Sequence, residues 1–319
     1  MKRMLALLAA VLMLLSMTAC QTSPKDDGKY VVGICQYITH PALDAATKGF
    51  KAALVDLIGA ENVSFQQEDA AGDPSNCTSI INSLINSKVD LILANATPAL
   101  QAAANATRRI PILGTSVTEY GVALGINDFS GTVGGNVSGT SDLADLNKQA
   151  QMILDWCPNA KKVGLLYCSA EANSQYQVDK VQEYLSGKGI ECKMFAFTDS
   201  NDLSSYVRQA ADWSDAIYVP TDNAVAEATG VINPICLSAG VPVIAGEQGI
   251  CSGCGIATMS IDYYELGYTT GKMAAKILKG EAKISEMPIE YAPTVSLKYN
   301  EENCNALNIK PLEGYEKIG

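Results

Sequence analysis

Short apolar or β-branched runs alternate with longer amphipathic stretches from Tyr30 to Ile261, and this alternation constrains the fold more than any other feature of the chain. Residues 30–35 read as a strand. Pro41, at a first helical position, opens a helix over 42–58 with Asp44 in its favourable first turn. A strand at 62–68, a helix at about 74–87 and a fully apolar strand at 90–94 follow. Pro98 then starts an alanine-rich helix, and 111–114 begins a fourth strand. Strands that are apolar on both faces and separated by helices predict a parallel sheet covered on both sides.

Residues 121–139 break this rhythm with six glycines and the asparagines Asn127 and Asn136, and read as a loop and crossover without phosphate-loop spacing. Beyond them the alternation restarts. Helices are expected at 142–156, 174–186, 203–211 and 224–238, with strands at 162–167, 191–197, 215–219 and 241–245. A strand at 255–261, a long helix at 263–279 and short extended pieces end the chain. One further helix is too little for a third domain, so the chain is expected to cross back and finish both halves. The boundaries read as 30–140 with about 262–285 for one lobe, and 141–261 with about 286–319 for the other.

The N-terminus carries an address. Lys2 and Arg3 precede an uncharged apolar run from Leu5 to Leu15, and Met17-Thr18-Ala19-Cys20 puts small residues directly before a cysteine. That order is a secretory signal over 1–19, and the apolar stretch is too short for the roughly 20 residues of a bilayer crossing. The cysteine at the cleavage point resembles a bacterial lipobox, which makes Cys20 the lipidated first residue of an extracytoplasmic protein anchored to the cell membrane. Residues 20–29 are a polar tether.

Without Lys2 and Arg3 the chain holds 21 basic and 34 acidic residues, a formal charge of −13. Such a surface is a poor partner for nucleic acid or anionic lipid. Nine cysteines remain after Cys20, an odd number in a chain too large to need stapling. Cys35 and Cys168 end strand-like runs as small buried hydrophobes. Cys251 and Cys254, in an expected loop after Glu247, form the one close pair. They lack the strand-then-helix context of a redox motif and the extra ligands of a zinc site, leaving a loop disulfide or two free thiols.

Ligands of open parallel sheets bind beyond the carboxyl ends of the strands. Those ends supply Gln36, Tyr37, Asp69, Thr97, Thr115, Ser116 and Thr118 in the first half, and Glu171, Asp222, Asn223 and Glu247 in the second; Asp262 completes the candidate set. Hydroxyls and helix-start amides suit a carboxylate, acids suit an ammonium, and Tyr37 suits an apolar or aromatic group. Ordinary helix capping competes with each assignment. Catalysis has little support: His40 is the sole histidine, no Gly-x-Ser-x-Gly elbow occurs, and neither a dinucleotide fingerprint nor a Walker loop is present, so no enzyme activity, cofactor or metal is expected.

Gln36 with His40-Pro41-Ala42-Leu43-Asp44, the 114–118 and 134–142 segments, Pro220-Thr221-Asp222-Asn223 and the 261–267 segment resemble the tryptophan/tyrosine group of ABC-transporter substrate-binding lipoproteins, in order along nearly the whole mature chain. The resemblance implies a type I periplasmic-binding-protein fold, an α/β architecture of two Rossmann-like, doubly wound parallel-sheet lobes joined by a hinge of three crossings. It implies a monomer that binds an amino acid, an aromatic one by preference, between closing lobes and serves an ABC permease. Thr97, Thr115, Ser116 and Thr118 would receive the carboxylate, and Asp222 or Glu247 the ammonium. A sensor of the same fold, presenting its bound state to a signalling partner, and an exported thiol enzyme built on Cys251 and Cys254 are the other readings.

Overall fold

The computed structural model describes residues 28–319; the expected signal peptide, Cys20 and the expected tether as far as residue 27 lie outside the described residues. The first half runs β1 (Tyr30–Gln36), α1 (Pro41–Ile58), β2 (Val63–Asp69), α2 (Pro74–Asn86), β3 (Leu91–Asn95), α3 (Thr97–Ala106), β4 (Ile112–Val117), α4 (Tyr120–Leu124) and β5 (Val137–Ser141). The second half runs α5 (Leu146–Trp156), β6 (Lys162–Cys168), α6 (Ala172–Gly187), β7 (Glu191–Phe197), α7 (Leu203–Trp213), β8 (Ala216–Val219), α8 (Asn223–Glu227), α9 (Thr229–Ala239), β9 (Val243–Ala245), α10 (Gln248–Cys254) and β10 (Ala257–Ile261). After these come α11 (Tyr263–Leu278), β11 (Glu290–Tyr291), β12 (Val295–Tyr299), α12 (Glu301–Ala306) and β13 (Glu316–Lys317).

Two sheets result, ordered β11-β5-β4-β3-β1-β2 and β13-β12-β10-β9-β8-β6-β7. Pairing is parallel except between β10 and β12. The chain crosses between the two units three times: after β5, after β10 and between β11 and β12.

The apolar strands explain the layering. Ile34 and Val32 of β1 pack with Phe50 and Leu54 of α1 and Met273 of α11, all fully or almost fully buried. Cys35 and Ile92 face the opposite side, toward Ile81 of α2 and Leu100 of α3. Each such large side chain contributes about 1.5–3 kcal/mol by leaving water. Three threonine hydroxyls add a polar weld: Thr270 of α11 donates to Thr115 at 3.1 Å and lies 2.8 Å from Thr140. That weld fixes α11 on the first sheet although α11 follows β10 of the second.

Four local expectations differ from the structure. The glycine-rich stretch contains α4 and the start of β5, where Gly139 has φ +145° against the Gly114 backbone, a conformation and a clearance that a side chain would forbid. The helix expected from residue 142 starts at Leu146, capped by Asp145. The helix expected over 224–238 breaks into α8 and α9 at Ala228. The loop expected after Glu247 is α10, because the Glu247 side chain accepts the Gly249 and Ile250 amides and starts a helix.

Candidate functional site

The parallel strands of each sheet end on the side facing the other lobe, and several polar residues just past those ends are buried. On the first lobe Thr97 starts α3 behind Ala96, which has φ +88° and offers no capping side chain, so the first amides of α3 have no side-chain acceptor. Ser116 sits at φ +54° where the β4–β5 register shifts, and its buried hydroxyl has no partner. Non-glycine residues hold such backbone angles only under constraint, and they gather at binding sites. Thr118 is buried beside them. This side of the cleft therefore presents a helix N-terminus and hydroxyls, a field that favours negative charge.

The second lobe presents the opposite polarity. Glu171 accepts from Asn173 Nδ2 at 3.2 Å, Asn223 Nδ2 at 2.5 Å, the Asn223 amide at 3.2 Å and the Ala224 amide at 2.9 Å. Asp222 accepts from the Cys168 and Val225 amides at 2.7 and 2.9 Å. Glu247 accepts from the Gly249 amide at 2.6 Å and from the Ile250 amide. Asp142, in the first crossing, accepts from Tyr263 at 3.0 Å and lies beside the Thr118 hydroxyl. Among the described residues no Lys or Arg pairs with these four acids. Burial pushes Glu171 up to about 8, with the Asp222 charge adding to it, and pushes Glu247 up to about 7; Asp222 and Asp142 also rise through burial. Carboxylates held this way favour a proton or an arriving cation.

The lobes are closed on one another. His40 Nε2 lies 3.1 Å from Asn223 Oδ1 across the cleft, and the Tyr37 phenol is pushed up first by burial and then by the Glu171 charge opposite. Among the described residues, openings remain between the lobes. One of about 310 Å³ is lined by Tyr37, Gly72, Cys168 and Phe197, and one of about 410 Å³ by Thr118, Tyr120, Tyr176 and Tyr291.

Of the sequence candidates, Tyr37, Thr97, Ser116, Thr118, Glu171, Asp222, Asn223 and Glu247 come together at the facing strand ends. Gln36 stands behind them, bonded to Ile38, Asp44 and Thr47, and braces α1 on β1. Three others point elsewhere. Thr115 faces inward to Thr140 and Thr270. Asp69 is exposed, holding Thr39 and the Ala71 amide. Asp262 is an exposed cap of α11. His40, Asp142, Asn173 and Tyr263 join the site without having been candidates; His40, Asp142 and Tyr263 lie in the quoted segments, while nothing local in the sequence marks Asn173.

Cys251 and Cys254 are free thiols buried in α10, and burial raises both well above the ordinary thiol range. Such thiols are poor nucleophiles. No group of three or more His, Cys, Asp or Glu suited to a metal ion occurs among the described residues.

Residues 31–314 match the family described as ABC transporter substrate binding protein. A tyrosine-binding protein of Clostridioides difficile is 34% identical over 283 residues, 88% of this chain and 81% of that protein. The ABC domain from Streptococcus pneumoniae in complex with L-Trp superposes with a TM-score of 0.86 at 30% identity, covering 91% of this chain and all of the other. A ligand-free, open substrate-binding protein with adhesive properties from Clostridium difficile is 36% identical, with 91% and 99% covered, yet scores 0.69. The lower score at higher identity is what closed lobes produce against an open pair. The two-lobed architecture is the type I periplasmic-binding-protein fold, and the chain belongs to the ABC transporter substrate-binding protein family.

Proposed function

We propose that this chain captures an α-amino acid with an aromatic side chain outside the cytoplasm and delivers it to an ABC permease, held at the membrane by lipid on Cys20. The observation that carries the reading is the division of polarity across the cleft. The uncapped α3 start and the Thr97, Ser116 and Thr118 hydroxyls suit a carboxylate; Glu171, Asp222 and Glu247, without a basic partner, suit an ammonium. A zwitterion satisfies both sides at once, and the Tyr37 ring offers a wall for an aromatic side chain. Relatives named for tyrosine and solved with L-Trp support the same ligand class.

Calorimetric titration of the tether-free protein with L-tyrosine, L-tryptophan, tryptamine and indole-3-propionate tests this. Micromolar or tighter binding of one of the amino acids is expected, with at least about a tenfold loss when either pole is missing, since each charge-assisted contact is worth about 1.5–3 kcal/mol. Equal affinity for tryptamine and tryptophan would defeat the carboxylate assignment. For the anchor, intact-mass analysis of the detergent-extracted protein is expected to place a diacylglyceryl group on Cys20, and Cys20→Ala to release the protein.

A further inference from the structure

The chain's single histidine stands where the lobes meet. Pro41 forces the preceding residue out of helical backbone, and His40 accordingly lies extended at φ −159°, its carbonyl accepting the Asp44 amide at 3.0 Å. Its ring is thus carried on the rigid start of α1 and leans off the first lobe toward α8 of the second. Asn223, 183 positions later, receives it at 3.1 Å.

The direction of that hydrogen bond follows from what else Asn223 does. Its Nδ2 donates to Glu171 at 2.5 Å, and its backbone amide donates to the same carboxylate. Nδ2 is therefore committed and Oδ1 faces His40 as an acceptor, so Nε2 of the imidazole is the donor. Nδ1 carries the lone pair and is buried without a partner. Asp44 and Asp69 stand near the ring from its own lobe, and Glu171 lies beyond Asn223. The result is a relay from the α1 start through Asn223 to Glu171, one of the acids assigned to the ligand ammonium.

The Nε2–Oδ1 bond spans the cleft, so it exists only while the lobes are closed; on opening, both groups return to water. We propose that His40 is a positioning residue that latches the closed cleft through Asn223, and that it governs how slowly a bound ligand leaves rather than how fast it arrives. This rests on the cleft being the ligand site. A ligand docks on open lobes, before the latch forms, so its association rate is independent of the bond. Release requires the latch to break, and its loss shifts the closed–open balance by the net worth of one buried hydrogen bond, about three- to tenfold.

Stopped-flow binding and chase experiments with L-tyrosine and L-tryptophan compare wild type, His40→Ala and His40→Gln. In Gln an amide donor replaces Nε2–H at similar reach. The expected pattern is a three- to tenfold faster release in His40→Ala, an unchanged association rate, and recovery of most of the slow release in His40→Gln. A His40→Ala release rate equal to wild type, or a loss carried by association alone, overturns the latch, as does a His40→Gln protein no slower than His40→Ala. Should wild type bind neither amino acid, the ligand assignment fails separately, and small-angle scattering of the three ligand-free proteins decides the latch. A larger radius in His40→Ala only supports it, and equal radii overturn it.

Discussion

Gly267 of α11 lies against the carbonyl of Ala46 in α1 so closely that a methyl group on Gly267 would overlap that oxygen. The contact lets two helices from opposite ends of the chain meet backbone to backbone over the first sheet. Gly267→Ala forces them apart, and overpacking of this kind costs about 1–3 kcal/mol. The expected outcome is a melting point lower by roughly 3–10 °C in calorimetric scans. An unshifted melting point would mean that the two helices can separate freely.

Ser116 separates backbone tolerance from binding. At φ +54° glycine fits as well as serine, whereas a β-branched side chain is strained. Ser116→Gly is expected to keep the melting point within about 2 °C, because relief of a strain of about 1 kcal/mol offsets the added freedom of the unfolded chain. The same change removes an unpartnered hydroxyl that we assign to the ligand carboxylate and should weaken L-tryptophan or L-tyrosine binding about fivefold or more. Ser116→Val should lose several degrees as well. Full affinity in Ser116→Gly would take Ser116 out of the site.

The acids predict a pH signature. Burial, with the Asp222 charge adding to it, raises Glu171 to about 8 from an ordinary 4.5, and we take lobe closure to complete that burial. A raised carboxyl favours the closed state fully below the ordinary value, and that advantage is lost as pH climbs toward 8. Closure on a ligand without an ammonium must therefore take up a proton. Indole-3-propionate should bind progressively tighter from pH 8 down to pH 5, by as much as about tenfold per unit, whereas tryptophan, which brings its own cation, should hold nearly constant. Parallel profiles for the two ligands would remove Glu171 as the ammonium partner.

The buried pair in α10 should be chemically silent. With both thiols raised well above their ordinary range by burial, Cys251 and Cys254 are expected to resist iodoacetamide at pH 8 in the folded protein and to react once it is unfolded in guanidinium. The Cys251→Ala, Cys254→Ala double variant should bind ligand within about threefold of wild type, at some cost in stability from the two cavities. Lost binding in a variant that still melts cooperatively would reopen a thiol role.

The layers of the fold were legible because the central strands are short apolar runs, as in Leu91–Asn95, and Pro41, Pro74 and Pro98 mark helix starts in plain sight. The candidate site was legible as a set of strand ends but not in the direction of its side chains. Thr115 and Ser116 are neighbours of like chemistry, yet one bonds inward to Thr140 and Thr270 while the other is turned by a positive φ; strand ends do not announce that twist. Asp69 and Asp262 follow the same capping chemistry as Asp222 and Glu247, and only tertiary burial separates them. α10 escaped notice because Gly249 and Gly253 argue against a helix that the Glu247 cap starts nonetheless.

The return of α11 and β11 to the first sheet has a temporal meaning. A chain that emerges N-terminus first leaves β5 with an unpaired edge until residues 290 and 291 arrive, and the Val32–Phe50 face stays uncovered until α11 is complete. The first lobe to begin is thus nearly the last to close. Almost the whole polypeptide must therefore be made before either half can complete its sheet.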